Sequence, residues 1–232
     1  RNIQSRYRGS LLGFCWSLIQ PLLMLCVYTF VFGVVFKVRW GMAAGNDQTS
    51  SFAIIMFAGM SVFNIFSESI NSCCQAVIAN PNYVKKVVFP LEILPVVQIV
   101  SSFLLGLIWF VLLLTGTLII FGSLHWTVFL LPVTLLPLLL LTLGIGWWVA
   151  SLGVYLRDIQ YVAGIIIQIL FFMTPIFYPI SAVPEKYQWP LRLNPLTMIV
   201  EETRNILLFG KLPNWSVIAI LLLTGIAVVL IG

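Results

Sequence analysis

Charged residues are scarce in this sequence. Only 8% of its 232 residues are Asp, Glu, Lys or Arg, whereas 61% are apolar. A soluble domain of average composition carries about 25% charged residues, and a chain of this size exposes much of its surface to water. The composition therefore excludes a soluble enzyme or a nucleic-acid-binding protein, and the net charge of +5 is assigned to loops and lipid headgroups.

Groups that membrane enzymes use for chemistry are also rare. The one histidine, His125, lies in a short turn, so no His-based catalytic pair or metal cluster can be built around it. The four cysteines lack any spacing typical of a metal site or redox pair. No G-x-x-x-x-G-K-[ST] phosphate loop occurs, so the chain cannot hydrolyse ATP by that mechanism. We expect no catalytic residue, metal or cofactor in this chain.

Long charge-free stretches dominate the sequence. They cover residues 9–36, 48–67, 69–84, 93–156, 159–184 and 212–232. A membrane-spanning helix needs about 20 apolar residues. The pattern predicts an all-α polytopic membrane protein with one transmembrane domain over residues 1–232. Its six spans are expected at 11–36, 52–79, 93–121, 127–153, 161–178 and 215–232. Both ends are expected to be trimmed, because the chain has no initiator Met and stops within an apolar run.

The segment between the fifth and sixth spans is neither apolar enough to cross a membrane nor polar enough for a plain loop. Asn194 followed by Pro195 is typical of a helix N-cap with proline at the first position, and Gly210 is a natural terminator. Apolar residues follow Pro195 at helical spacing, and a second, polar face is formed by Glu201, Glu202, Arg204 and Asn205. We therefore expect a re-entrant or interfacial hairpin with a helix in its second half.

One face of the second span is polar. Glu68 is the one carboxylate deep inside a span, where charge is costly and often marks function. Asn64, Asn71 and Gln75 lie at helical spacing on the same face. Two interpretations remain open, a wet conduit and an interhelical hydrogen-bonding stripe.

Aromatic residues are dense at the end of the fifth span and within the first. These residues are Tyr28, Phe171, Phe172, Phe177 and Tyr178. Sugars stack on aromatic faces, so this set is a candidate glycan path. Lipid-facing aromatics are the alternative.

Two basic segments flank the spans. Arg6 and Arg8 precede the first span, where they can hold lipid headgroups or a diphosphate, or simply set topology. The 80–90 break is basic, contains aromatics and is framed by Pro81 and Pro90. A plain connection needs neither feature, so this break is interpreted as a docking element.

At these residues the chain resembles a known family. Arg6-Tyr7-Arg8-Gly9-Ser10-Leu11-Leu12-Gly13, then Trp16 and Gln20-Pro21-Leu22, are similar to the amino-terminal signature of ABC-2 type polysaccharide exporter permeases. Residues 80–95, 174–179 and 193–196 match later landmarks of that family in order. Within the family, the chain is most similar to O-antigen (lipopolysaccharide) exporters, then to teichoic acid exporters.

The resemblance implies a homodimer in the bacterial inner membrane, with six spans and cytoplasmic termini, bound to two copies of a separate subunit that binds ATP and Mg. It implies that a polysaccharide on a polyprenyl diphosphate is the substrate, and that an amphipathic N-terminal helix and the 80–90 loop contact the ATPase. The coupling residues of that loop would be Asn82, Tyr83, Lys85, Lys86 and Phe89. The first and fifth spans would line the channel, and the hairpin would sit at its exit. The distribution of Lys and Arg agrees with a cytoplasmic N-terminus, because these residues are denser in the loops on the same side of the membrane as the N-terminus.

Two other classes of function stay open at this point. One is a membrane-embedded glycosyltransferase or other lipid-modifying enzyme, for which Glu92 and Asp158 are the candidate catalytic groups. The other is an ABC-2 exporter of drugs or lipids instead of glycans.

Overall fold

Every regular element in the described part of the chain is helical. The computed structural model describes residues 15–36, 48–80, 90–156 and 158–232. Its α-helices are α1 Trp16–Tyr28, α2 Gln48–Cys74, α3 Ile93–Phe121, α4 Leu131–Tyr155, α5 Ile159–Met173, α6 Gln188–Leu193, α7 Pro195–Leu207 and α8 Trp215–Ile231. A π-helix over Thr29–Val35 continues α1, and 3-10 turns lie at Trp126–Leu130, Ile180–Ala182 and Glu185–Tyr187. The expected all-α class is confirmed for these residues.

Four helical segments of the described chain are long and apolar enough to cross a membrane. They are Trp16–Val35, Ser50–Cys74, Ile93–Phe121 and Trp126–Tyr155. The apolar helices α5 and α8 are shorter, with 15 and 17 residues. The structure thus supports a helical membrane protein with at least four candidate spans, while the count of six stays a prediction.

Two of the expected spans run well past the C-terminal ends of their helices. α5 stops at Met173 and not at residue 178, because Thr174 precedes Pro175 and takes an extended conformation with φ −88° and ψ 131°. α2 stops at Cys74 and continues as turns to residue 79. In contrast, α3 ends at Phe121, where Gly122 adopts a left-handed φ of 71° and terminates the helix.

α2 lies at the centre of the packing. In its apolar 18-residue window 72% of the residues are buried, against 6% for α1 with its π-helical continuation. α2 contacts α3, α4, α5, α7 and the π-helix. α2 is therefore the helix around which the other elements pack.

α8 packs closely on α4 at positions that tolerate no side chain. A Cβ on Gly144 would lie 2.6 Å from the backbone carbon of Val228, and a Cβ on Gly225 would lie 2.8 Å from Cβ of Leu140. Small residues permit such backbone approach between membrane helices. Gly144 of α4 and Gly225 of α8 therefore let these two helices pack closely.

The segment after α5 folds into the two short helices α6 and α7. Asn194 caps α7 by accepting a hydrogen bond from the Leu196 N–H at 3.0 Å, with Pro195 at the first helical position. Gly210 has a left-handed φ of 61° three residues beyond the helix end. α7 packs against α2 and α4, so it belongs to the interior. Re-entry of this segment into a membrane stays a prediction.

Candidate functional site

Aromatic side chains from five parts of the chain, one of them α2, meet in one group. We call this group the aromatic cluster; its members are Tyr28 of α1, Phe32 of the π-helix, Phe63 of α2, Phe171 and Phe172 of α5, and Phe177 of the following turn. Phe177 is at its centre. Its ring centroid lies 4.3 Å from that of Phe32, 5.2 Å from Tyr28 and 5.1 Å from Phe171. The structure thus brings together aromatics that are 149 residues apart in sequence (177 minus 28).

Members of the predicted glycan path differ in exposure. Phe177 is 2% exposed and Phe172 is 58% exposed. Tyr178 is half-buried, and its hydroxyl donates to the Phe172 carbonyl at 2.9 Å. A first cavity, of 270 Å³, is lined by Phe32, Phe36, Phe177 and Tyr178. Phe177 therefore forms the base of the aromatic surface, and Phe172 and Tyr178 form its accessible part.

A second cavity of 270 Å³ joins the aromatic cluster to the polar face of α2. Its polar lining residues are Gln20, Asn64, Ser67 and Gln168, and its aromatic lining residues are Tyr28, Phe63, Trp109 and Phe171. The lining comes from α1, α2, α3 and α5. We call this the mixed cavity. The sequence presents the aromatic set and the polar set separately, whereas in the structure Tyr28 and Phe171 of the first set and Asn64 of the second line one cavity.

The four predicted polar residues of the second span do not share one environment, and Gln75 lies in the turn that follows α2. Asn64 lines the mixed cavity, and Glu68 is half-buried one turn further on. Asn71 is exposed and its side-chain amide donates to the Ser67 hydroxyl at 3.4 Å. The side-chain amide of Gln75 donates to the side-chain Oε1 of Gln160 in α5 at 2.5 Å. The face therefore begins as cavity lining and ends as an interhelical hydrogen bond.

Several predicted residues lie outside the described chain. These are Arg6 and Arg8, and the coupling residues Asn82, Tyr83, Lys85, Lys86 and Phe89. The two carboxylates of the enzyme alternative occupy helix starts: Glu92 precedes α3, and the Asp158 carbonyl accepts from the Tyr161 N–H of α5. In the described residues, no group of three or more His, Cys, Asp and Glu is placed to hold a metal ion.

Arg204 of α7 is a buried cation that sequence reasoning placed on an ordinary polar helix face. It is 2% exposed. Its Nε donates to the Ile55 carbonyl of α2 at 3.0 Å, Nη1 to the Pro175 carbonyl at 2.8 Å, and Nη2 to the Ile176 carbonyl at 2.9 Å. No spacing rule marks such a residue, because its three acceptors are backbone atoms remote in sequence.

The pKa values of the ionisable residues of α7 are shifted by burial, by hydrogen bonds and by neighbouring charges. Burial lowers the pKa of Arg204 to about 9, opposed by the Glu201 carboxylate, so the guanidinium stays protonated at neutral pH. Burial raises the pKa of Glu201, and the neighbouring Arg204 and Arg192 oppose that rise. Glu202 accepts a hydrogen bond from the Asn214 N–H at 2.9 Å. Burial raises its pKa, and this bond opposes the rise.

A separate cleft of 880 Å³ is lined by the segment from Ile180 to Arg192 and by α7. Its charged and amide lining residues are Glu185, Gln188, Arg192 and Glu201. Arg192 donates to the Gln188 side chain at 2.9 Å. The cleft and the mixed cavity share no lining residue, so they are distinct sites.

Several apolar helices of spanning length, with an open cavity lined by α1, α2, α3 and α5, are features compatible with a membrane transporter. The chain belongs to the ABC-2 type transporter family, whose profile matches residues 1–208. The family expected from the N-terminal signature and the later landmarks is thereby confirmed.

Curated relatives align with nearly all of the chain. O-antigen export system permease protein RfbA of Klebsiella pneumoniae is 28% identical over 235 residues, which covers 100% of this chain and 86% of the relative. The protein of the same name from Myxococcus xanthus is 30% identical over 237 residues, covering 100% and 85%. Polysialic acid transport protein KpsM of Escherichia coli is 27% identical over 217 residues, covering 90% and 79%.

Proposed function

We propose that this chain is the membrane permease of an ATP-driven exporter that moves lipid-linked polysaccharide of the O-antigen type out of the cytoplasm across the inner membrane. Full-length similarity to permeases named for O-antigen export supports the substrate class. The polysialic acid transport protein aligns with a smaller share of the chain, which favours O-antigen over a capsule-type glycan.

The mixed cavity is the structural observation that best supports a glycan as the substrate. A sugar ring presents C–H groups on its faces and hydroxyls at its edge. The aromatic rings of Tyr28 and Phe171 can pack on those faces, while the amides of Gln20, Asn64 and Gln168 can exchange hydrogen bonds with the hydroxyls. Neutral amides suit a substrate that must move on, since they bind without the stronger hydrogen bonds of charged groups.

The energy source and the partners complete the proposal. The sequence contains no phosphate loop, so ATP and Mg are held by a separate subunit, two copies of which bind a homodimer of this chain. Tyr83 and Phe89 anchor that subunit, with Lys85 and Lys86 beside them and Asn82 at the start of the loop. Arg6 and Arg8 bind the lipid diphosphate or headgroups at the cytoplasmic surface.

Six spans with a cytoplasmic N-terminus follow from the same proposal, with α5 and α8 crossing despite their length. A single cysteine replacing Ser50 should then react with a reagent confined to the outside, and one replacing Asn82 should react only from the cytoplasm. Reaction of both from the same side would contradict this topology.

The substrate path is tested by Tyr28→Ala combined with Phe171→Ala. An aromatic contact contributes about 0.5–1.5 kcal/mol, so two lost faces should lower export several-fold. The measurement is surface polysaccharide per assembled permease in cells lacking the native gene. The matched control is Phe121→Ala with Phe129→Ala, two exposed aromatics at the junction of α3 and α4. Wild-type export by an assembled Tyr28/Phe171 variant would refute the path.

A further inference from the structure

We propose that Arg204 is a positioning residue for the aromatic cluster: it holds the turn that carries Phe177 against α2 and α7. The inference rests on the proposed function, because the position of Phe177 affects export only if the aromatic cluster borders the substrate path. Arg204 itself lies in α7 and is separated from the ring it positions by backbone.

The hydrogen bonds of Arg204 act on the two peptide units that precede Phe177. Nη1 binds the carbonyl of Pro175 and Nη2 binds that of Ile176, at 2.8 and 2.9 Å. The Ile176 carbonyl belongs to the peptide bond that enters Phe177. Fixing its oxygen fixes the plane of that peptide, and with it the direction from which the Phe177 side chain leaves the backbone.

The same guanidinium attaches this turn to the core. Nε donates to the Ile55 carbonyl of α2 at 3.0 Å, so one side chain connects α2, α7 and the turn after α5. Asn194 supplies a second connection at the other end of α7, where its amide donates to the Thr174 hydroxyl at 3.2 Å. The turn is therefore held from both ends of α7.

The choice of arginine is informative. Burying a charge costs energy unless its hydrogen bonds are satisfied, and an apolar side chain would fill this space at lower cost. A guanidinium offers five N–H donors in a rigid plane and can bind three carbonyls at fixed angles. Lysine is a flexible point charge that cannot reproduce this arrangement.

Gly59 of α2 provides a way to disturb the guanidinium without altering Arg204. A Cβ at this position would lie 2.6 Å from Nη2 of Arg204. Gly59→Ala therefore displaces Nη2, which binds the Ile176 carbonyl, but removes no charge and no hydrogen-bond donor from the protein. Gly116→Ala is the control, because its Cβ would lie 2.9 Å from the flexible end of the Ile54 side chain.

The first test measures the turn directly and does not depend on export. A cysteine replaces Tyr178 in a protein whose exposed Cys15 and Cys26 are alanine, and its maleimide labelling rate is measured in membranes. Arg204→Lys and Gly59→Ala should each raise this rate several-fold, whereas Arg192→Lys on exposed α6 and Gly116→Ala should leave it unchanged. Unchanged labelling in assembled Arg204→Lys or Gly59→Ala protein would overturn the inference.

The second test asks whether Arg204 acts through Phe177. Export is compared for Gly59→Ala, Phe177→Ala and the two combined. If the guanidinium acts by positioning Phe177, the combined variant exports as much as Phe177→Ala alone, because the positioned ring is already gone. Multiplying losses would overturn the inference. Normal export by Phe177→Ala would instead count against the aromatic path of the proposed function, while the labelling result still decides the role of Arg204.

Discussion

α1 and α2 are both apolar enough to cross a membrane, yet they occupy opposite situations. α1 with its π-helix is the more apolar and has few buried residues, whereas α2 is less apolar and mostly buried. In water the order would be reversed, because apolar surface is driven inward. In a bilayer lipid tails solvate apolar side chains, and helices associate through packing and polar contacts.

The difference shows what places a helix at the centre of such a protein. α2 carries the small residue Gly59 and the polar residues Asn64, Glu68 and Asn71, and Gln75 lies in the turn that follows it. Gly59 lies against Arg204 of α7, and Gln75 binds Gln160 of α5. α1 contacts the rest of the chain through few residues, with Tyr28 and Phe32 in the aromatic cluster. Its exposed face is the part of the molecule that the proposed homodimer or lipid would cover.

The largest effect should arise at the segment that follows α2. In the proposed exporter, residues 80–90 receive the motion of the ATPase and pass it to α2 and α3. Tyr83→Ala with Phe89→Ala removes two aromatic anchors, and hot-spot anchors cost about 2 kcal/mol or more each. Export should fall to a few per cent, with the partner detached or its ATP hydrolysis uncoupled.

The matched change lies before α1. Arg6→Ala with Arg8→Ala should lower export less, because α1 is attached to the body at few points. Co-purification of the ATPase, ATP hydrolysis and export in membranes measure both variants. Coupled export at the wild-type level by the Tyr83/Phe89 variant would refute transmission through α2.

A second prediction compares one aromatic residue in each helix region. Phe57 of α2 is 1% exposed and stacks on Trp109 with 5.7 Å between the ring centroids. Phe30 of the π-helix that continues α1 is 61% exposed. Phe57→Ala should lower the free energy of unfolding by about 3–5 kcal/mol. Phe30→Ala should change it by less than about 0.5 kcal/mol. Unfolding in mixed detergent micelles gives both values, and similar losses would mean that burial in the single chain does not describe stability.

The helical class and the approximate positions of the helices could be predicted from the sequence, because charge-free runs of spanning length have few structural alternatives. Helix ends were predictable where a local signal acts, as at Gly122 and Asn194. They were missed at Met173 and Cys74, since apolar runs continue past both residues. Hydrophobicity marks what a bilayer accepts, and it does not mark where the helix stops.

The candidate site was predictable only in pieces. The aromatic residues near Pro175 and the polar face of α2 were found by spacing, but their meeting in the mixed cavity depends on how α1 and α5 pack beside α2. Gln20 and Gln168 were missed, because a single amide in an apolar run has no pattern. Arg204 was noticed as part of a polar face, and its burial depends on carbonyls from α2 and from the turn after α5.

A third prediction concerns Glu68 in the middle of the polar face. Glu68→Gln preserves shape and hydrogen-bonding capacity, so export should remain within about twofold if the residue supports packing. Glu68→Leu removes the hydrogen-bonding capacity of this half-buried position and should destabilise assembly by about 1–3 kcal/mol. Dimer recovery and export are measured together. Lost export in a well-assembled Glu68→Gln protein would indicate that the charge itself is required.

The smallest expected effect separates the two ends of the α2 polar face. Gln75 is bonded to Gln160 of α5, and hydrogen bonds between membrane helices average about 0.6 kcal/mol. Gln75→Ala should therefore cost about that much in stability, and Gln160→Ala added to it should cost little more, because the bond is already broken. Export should be unaffected.

Asn64→Ala removes one cavity-lining amide and should show the opposite pattern, with unchanged stability and reduced export. Among the described hydrogen bonds, none joins the Asn64 side chain to α5. If Gln75→Ala lowered export while Asn64→Ala did not, the conduit would lie at the other end of α2, beside the 80–90 segment.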